Sequence, residues 1–262
     1  MSRFHDSFPT ISTFLNLTRG LRDRFSRSRV WCPRSVMTWL LVIPLPDRKT
    51  SYRRSLRHLT WYGRRRFGWT KMPTLASISI ARRKLSVAMC RSFLHDVVSS
   101  CEAIMPALRH EWGQRRFIAF DGCRFVTPRT ADTARKLHRF SRPDGSKVHN
   151  PQGLMVAAVD VFRRLPLDWI FVGKGVGERT AMMDLVRRMP WQAGDVAVMD
   201  RGFPSKKLFG VLVECGIDVI ARMSTSEAIA WKELRPFLEG KQKTATVEIQ
   251  LQGVDGPVTI QE

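Results

Sequence analysis

Val196-Ala197-Val198-Met199-Asp200-Arg201-Gly202-Phe203 is an apolar run that stops at a turn, with a carboxylate where the run ends. Phe117-Ile118-Ala119-Phe120-Asp121-Gly122 has the same form. A short apolar run bounded by a turn signal reads as a buried strand. Each aspartate is then the last residue of its strand, delivered to the edge of a sheet on rigid backbone. Two such carboxylates on neighbouring strands supply half or more of a divalent-metal site, because hard cations take oxygen ligands. Taken singly, each is also an ordinary turn residue.

Working outward from Asp200, a helix is expected through Leu208, Phe209, Leu212 and Val213, stopped by Gly216 in a left-handed conformation, and then a strand from Ile217 to Met223. Upstream, Leu154 to Val161 is strongly apolar, and Arg163-Arg164 turns it into a second strand, Leu167 to Val172. Gly173-Lys174-Gly175-Val176-Gly177 leads into a helix whose apolar positions are Met182, Leu185, Val186 and Met189. That glycine loop lacks the Lys-Ser/Thr pair of a phosphate cradle and reads as an ordinary connection. Thr127 to Asn150, with Pro128, Pro143, Asp144-Gly145 and Pro151 around it, reads as a polar loop. The order strand, hairpin, helix, strand, helix, strand defines an α/β mixed sheet with flanking helices. Past Lys241, Val247, Ile249 and Leu251 alternate with Glu248, Gln250 and Gln252, a half-buried strand, and Val258 to Ile260 begins another after the Asp255-Gly256 turn.

The preceding part has a different texture. The 262 residues carry a formal charge of +21, unevenly placed: residues 1–115 hold 22 Lys+Arg against 6 Asp+Glu, and residues 116–262 hold 22 against 17. Trp31 to Leu45 reads as a buried helix. Tyr52 to Trp69 mixes Arg53, Arg54, Arg57, Arg64, Arg65 and Arg66 with Trp61, Tyr62 and Trp69. Thr74 is the expected N-cap of a helix ending in Arg82, Arg83 and Lys84, and a second helix runs from Val87 to about Leu108. Residues 1–115 are therefore expected to form a basic, all-helical domain whose arginines bind DNA phosphates while its apolar faces form a core. The five cysteines are scattered, with no Cys-x-x-Cys pair, which argues against a disulfide framework or a zinc ribbon. No signal-peptide pattern opens the chain, and Val36 to Ile43 is too short to span a bilayer, so a cytoplasmic protein is expected, associated with the nucleoid and not with a membrane.

Several segments together resemble transposases of the insertion-sequence-four family. They are Phe120-Asp121-Gly122, Thr127 through Thr133, Asn150-Pro151-Gln152, Gly175 through Arg179, and above all Met199-Asp200-Arg201-Gly202-Phe203. Phe25 to Arg29 through the Trp39 helix and Pro73 through Leu85 are similar to the family's N-terminal domain, so the likeness spans the chain from about residue 25 onward. The resemblance implies a ribonuclease H-like core over residues 116–240, the start of a β-rich insertion over 241–262, and cut-and-paste DNA transposition. Asp121 and Asp200 would be the first two acids of a three-acid site for Mg2+ (or Mn2+), with Arg201 facing the DNA backbone or ordering the carboxylate. In two-metal phosphoryl transfer one ion activates the attacking oxygen and the other stabilises the leaving one. The implied partners are double-stranded DNA, as the element's terminal repeats and the target, and a second copy in a synaptic homodimer.

Two departures stand out. The family's Thr two residues after the first Asp is here Cys123, expected to be a small buried substitute. The third acid belongs to a late helix bearing Tyr-x2-Arg-x3-Glu-x6-Lys, yet the only tyrosines are Tyr52 and Tyr62, and neither begins that pattern. Glu178, opening a helix, reads better as an acid complementing the helix dipole than as a catalytic group. Glu214, Glu227, Glu233 and Glu239 are no better substitutes. The chain thus also reads as a truncated, catalytically inactive DNA-binding remnant. A ribonuclease H-like nuclease that uses only water is a third reading.

Overall fold

The computed structural model describes residues 69–104, 115–139, 144–146, 148–224, 231–240 and 244–261, with Val36, Leu56, Arg57, Thr60, Trp61, Arg64 and Arg65. The chain divides into two units, Met1–Ile104 and Met105–Glu262.

In the first unit, α1 (Leu75–Arg83) begins with a reciprocal cap. Ser77 N–H donates to Thr74 Oγ1 and Thr74 N–H donates to Ser77 Oγ, each at 3.1 Å. Two of the backbone donors that a helix start leaves without partners are thereby satisfied, as Thr74 predicted. Ile78 and Ala81 are buried, while Arg82 and Arg83 close the last turn in solvent. The second helix, α2 (Val87–Ile104), buries Phe93 and Val98. Residues 105–114 lie outside the described ones. So do the residues of the Trp31–Leu45 helix except Val36, which is helical and buried.

The second unit is built on a five-stranded mixed sheet in the order β3-β2-β1-β4-β5. β1 (Phe117–Val126), β2 (Gln152–Asp160) and β3 (Leu165–Val172) form an antiparallel meander, and β4 (Val196–Met199) and β5 (Asp218–Ala221) continue it parallel to β1. The α/β architecture read from the element order is therefore observed. α4 (Glu178–Arg188) covers β2 and β3, and α5 (Lys206–Glu214) lies beside α4 and against β5. The core is where these helices meet the sheet: Ile118, Val156, Met182, Leu185, Leu208 and Leu212 are fully buried. Each such aliphatic side chain contributes about 1.5–3 kcal/mol. Gly216 has φ 68° and stops α5 as expected.

Two connections differ from the sequence reading. β1 does not stop at Asp121. It continues to Val126 because β2 offers it a partner throughout, from Ile118↔Asp160 to Val126↔Gln152. Strand pairing outweighs the Asp-Gly turn signal here. The supposed loop after it contains a one-and-a-half-turn helix, α3 (Ala131–Lys136), started by a Thr130–Thr133 capping box and without a buried residue. Beyond the sheet lie a 3-10 turn (Lys232–Leu234), α6 (Arg235–Glu239) and the hairpin of β6 (Thr246–Gln250) and β7 (Pro257–Gln261). Ile249 and Leu251 are buried, as the period-two pattern predicts.

Candidate functional site

What brings the two aspartates together begins at the other end of their strands. Arg116 donates from Nε to Asp195 Oδ1 at 2.9 Å and from Nη2 to Asp195 Oδ2 at 2.6 Å. The same carboxylate accepts from Gln192 N–H at 2.8 Å and is 2 % exposed. This two-pronged pair fixes the start of β1 against the start of β4. From there the parallel ladder runs from Phe117↔Val196 to Phe120↔Met199 and ends. Asp121 is the next residue of β1 and Asp200 the first after β4, so the two leave the end of the ladder side by side. Both are exposed, whereas Phe120 and Met199 before them are buried. Asp121 Oδ1 accepts from Gly122 N–H at 2.8 Å, and the Asp200 carbonyl accepts from Phe203 N–H at 3.0 Å, closing the turn that follows β4.

The first turn of α4 touches both aspartate segments. Arg179 Nε donates to the Gly202 carbonyl at 2.8 Å, two residues past Asp200. The carboxylate of Glu178 fills the space that a side chain at 122 would take: a Cβ on Gly122 would lie 1.4 Å from Glu178 Oε1. Gly-Glu-Arg in residues 177–179 was legible as a helix start, but its docking on two strand ends was not, because that depends on sheet order. Successive strand residues face opposite sides. Glu178, on the Gly122 side, is therefore directed to the helix-covered face, away from the face that Asp121 and Cys123 share.

Those positions bear on a metal. Among the described residues, no group of three or more His, Cys, Asp and Glu side chains is placed to hold an ion. Mg2+ is ordinarily held by one or two carboxylates, with water and substrate phosphates completing its octahedron, so Asp121 and Asp200 would suffice for one ion. A second ion of the implied pair would draw on a third acid, and none stands with these two among the described residues. Cys123, expected to be buried, is exposed, since β1 past Phe120 has lost its β4 neighbour. The other buried acids are structural. Asp160 accepts from Phe162 and Arg163 N–H in the β2–β3 turn, and Asp168 pairs with Arg188 at 2.9 Å.

Arg201 is exposed in the turn after Asp200. In the first unit Arg57, Arg64, Arg65, Arg82, Arg83 and Lys84 are all exposed, and the Arg65 guanidinium lies 4.5 Å over the Trp61 ring. Arg53, Arg54 and Arg66 lie outside the described residues. No helix among the described residues is long and apolar enough to cross a membrane. Compared with known proteins, the chain matches no family model and no curated protein. The fold and the site define an α/β chain whose mixed five-stranded sheet brings two exposed aspartates to the end of one parallel ladder.

Proposed function

We propose that the chain is a DNA-processing protein of the insertion-sequence-four transposase lineage, with a ribonuclease H-like core and Asp121 and Asp200 as its acid pair. One observation carries this reading: the β1–β4 ladder ends at Phe120↔Met199, immediately before both aspartates. Motifs 79 residues apart in sequence, centred on Asp121 and Asp200, thus become neighbours at a single sheet edge. The mixed sheet with an antiparallel meander and two further parallel strands is consistent with such a core. The exposed arginines of the first unit supply phosphate contacts, which position duplex DNA without reading its sequence. Arg201, beside Asp200, serves the strand at the acid edge.

Nicking of a duplex carrying the inverted repeats that flank the coding sequence, assayed with Mg2+ or Mn2+, tests the reading. The wild-type chain is expected to nick at the repeat ends, and Asp121→Ala and Asp200→Ala to bind the same duplex without nicking it. Undiminished cleavage by Asp200→Ala would sink the proposal. A second reading, DNA binding without cleavage, is favoured by the lack of a third acid among the described residues. Tight, repeat-specific binding by a wild-type chain that never nicks would select it.

A further inference from the structure

On the same face of β1 as Asp121, two and four residues on, come Cys123 and Phe125, all three exposed. Phe125 stacks on Phe171 of β3, with ring centroids 5.4 Å apart and planes 28° from parallel. Between them, in β2, is Gly153. A Cβ there would lie 2.5 Å from one ring and 3.1 Å from the other, so the glycine makes the room in which they meet. The pair is nevertheless not core: Phe125 is 39 % and Phe171 42 % exposed. Phe171 also lines a cleft of about 680 Å3 whose other walls include Arg135, Lys136, Lys174 and Thr127. Asp132, the one acid in that lining, bonds both Arg135 and Lys136 at 3.0 Å, which leaves the cleft with a net positive charge. The loop is held in place by Lys174 N–H donating to the Lys136 carbonyl at 2.7 Å and Gly175 N–H to His138 Nε2 at 3.0 Å.

An open aromatic face beside a cationic cleft has one well-matched occupant. Bases stack on aromatic rings whatever their identity, while lysines and arginines hold the phosphates between them. A duplex keeps its bases stacked inside and cannot use the rings. We infer that the Phe125–Phe171 pair and the Arg135–Lys136–Lys174 cleft form a binding site for an unpaired DNA strand. Along β1, Phe125 is about 13 Å from Asp121 at roughly 3.3 Å per residue. That is about four nucleotides of stacked strand at ~3.4 Å each. The site would hold a strand freed from its complement next to the acid edge, and in this it rests on the function proposed above.

Fluorescence anisotropy on the full chain tests it with three labelled probes: a mixed-sequence DNA strand of about twelve nucleotides, the same-length duplex, and an abasic strand with the same phosphates. The wild type is expected to bind the strand at least about fivefold more tightly than its abasic counterpart. Phe171→Ala and Phe125→Ala should abolish that difference and leave duplex affinity unchanged. Phe171→Trp should keep it, with indole fluorescence quenched on binding. Phe171→Leu, which keeps an apolar side chain at this exposed position without a stacking face, should lose it while melting as the wild type does. Equal affinity for normal and abasic strands, equal loss on strand and duplex, or tighter binding of RNA or an apolar peptide would overturn the inference. Base-dependent binding by a chain that never nicks would leave this site standing and remove only the cleavage reading. Nicking that needs Asp200 but ignores both phenylalanines would do the reverse.

Discussion

At the scale of single residues, Asp195 shows how far from its chemistry an edge site can be decided. It is buried and ion-paired to Arg116 through two hydrogen bonds, and it sits where β1 and β4 start. Removing the carboxylate leaves the guanidinium largely buried without its counter-charge, an arrangement that costs about 3–5 kcal/mol. Asp195→Ala is therefore expected to lower the denaturation midpoint sharply. Asp195→Asn, which still accepts hydrogen bonds, should lose less. Chemical denaturation checks this, and an alanine variant as stable as the wild type would refute the role given to the pair. Nothing in the sequence separated Asp195 from Asp200 as structural against functional. The distinction lies in burial: Asp195, at the start of β4, is enclosed by Arg116 and the turn at Gln192, whereas Asp200, just past the end of β4, is exposed. The exposure of Cys123 is likewise set by the sheet, because β4 ends sooner than β1.

Among the elements, the apolar ones were legible and the polar ones were not. β2, β3, α4 and α5 announced themselves by runs and spacings of Leu, Val and Met that need burial. α3 has no buried residue, and its only signal was Thr130 and Thr133 at capping distance inside a proline-rich stretch. Packing between elements was also invisible. Gly210 lies in the middle of α5, where alanine would ordinarily stabilise a helix by about 1 kcal/mol. Here its Cβ would meet the Gln252 carbonyl at 2.3 Å, in the turn that follows β6. A backbone atom cannot swing aside as the tip of Glu178 can at Gly122. Gly210→Ala is accordingly expected to destabilise the chain by about 1–3 kcal/mol, by the overpacking argument. Gly122→Ala should be nearly neutral. Faster hydrogen exchange confined to β6 and β7 in Gly210→Ala would locate the damage, and an unchanged hairpin would count against it.

For the molecule as a whole, charge is the dominant property. On the proposed function, a net +21 concentrated before residue 116 would make duplex binding electrostatic, through arginines that stand exposed at 57, 64, 65, 82 and 83. If about six phosphates are neutralised, log affinity should fall against log salt with a slope near −5. Replacing Arg82 and Arg83 together by Gln should reduce the slope by about 2 and weaken all duplexes alike. A titration in which affinity hardly changes with salt would rule this mode out. The aspartate edge has a different dependence, on the order of assembly. β2 and β3 are joined by a short turn and β4 and β5 by one helix, but β1 meets β4 only across the 79-residue separation seen in the Arg116–Asp195 pair. Pairings that close long loops must meet the closure entropy first and so come late in folding. The chain can therefore pass through states in which the β2–β3 and β4–β5 pairings are formed and its acid pair does not yet exist. On the proposed function, such states would carry the positive charge that binds DNA without the acid pair that acts on it.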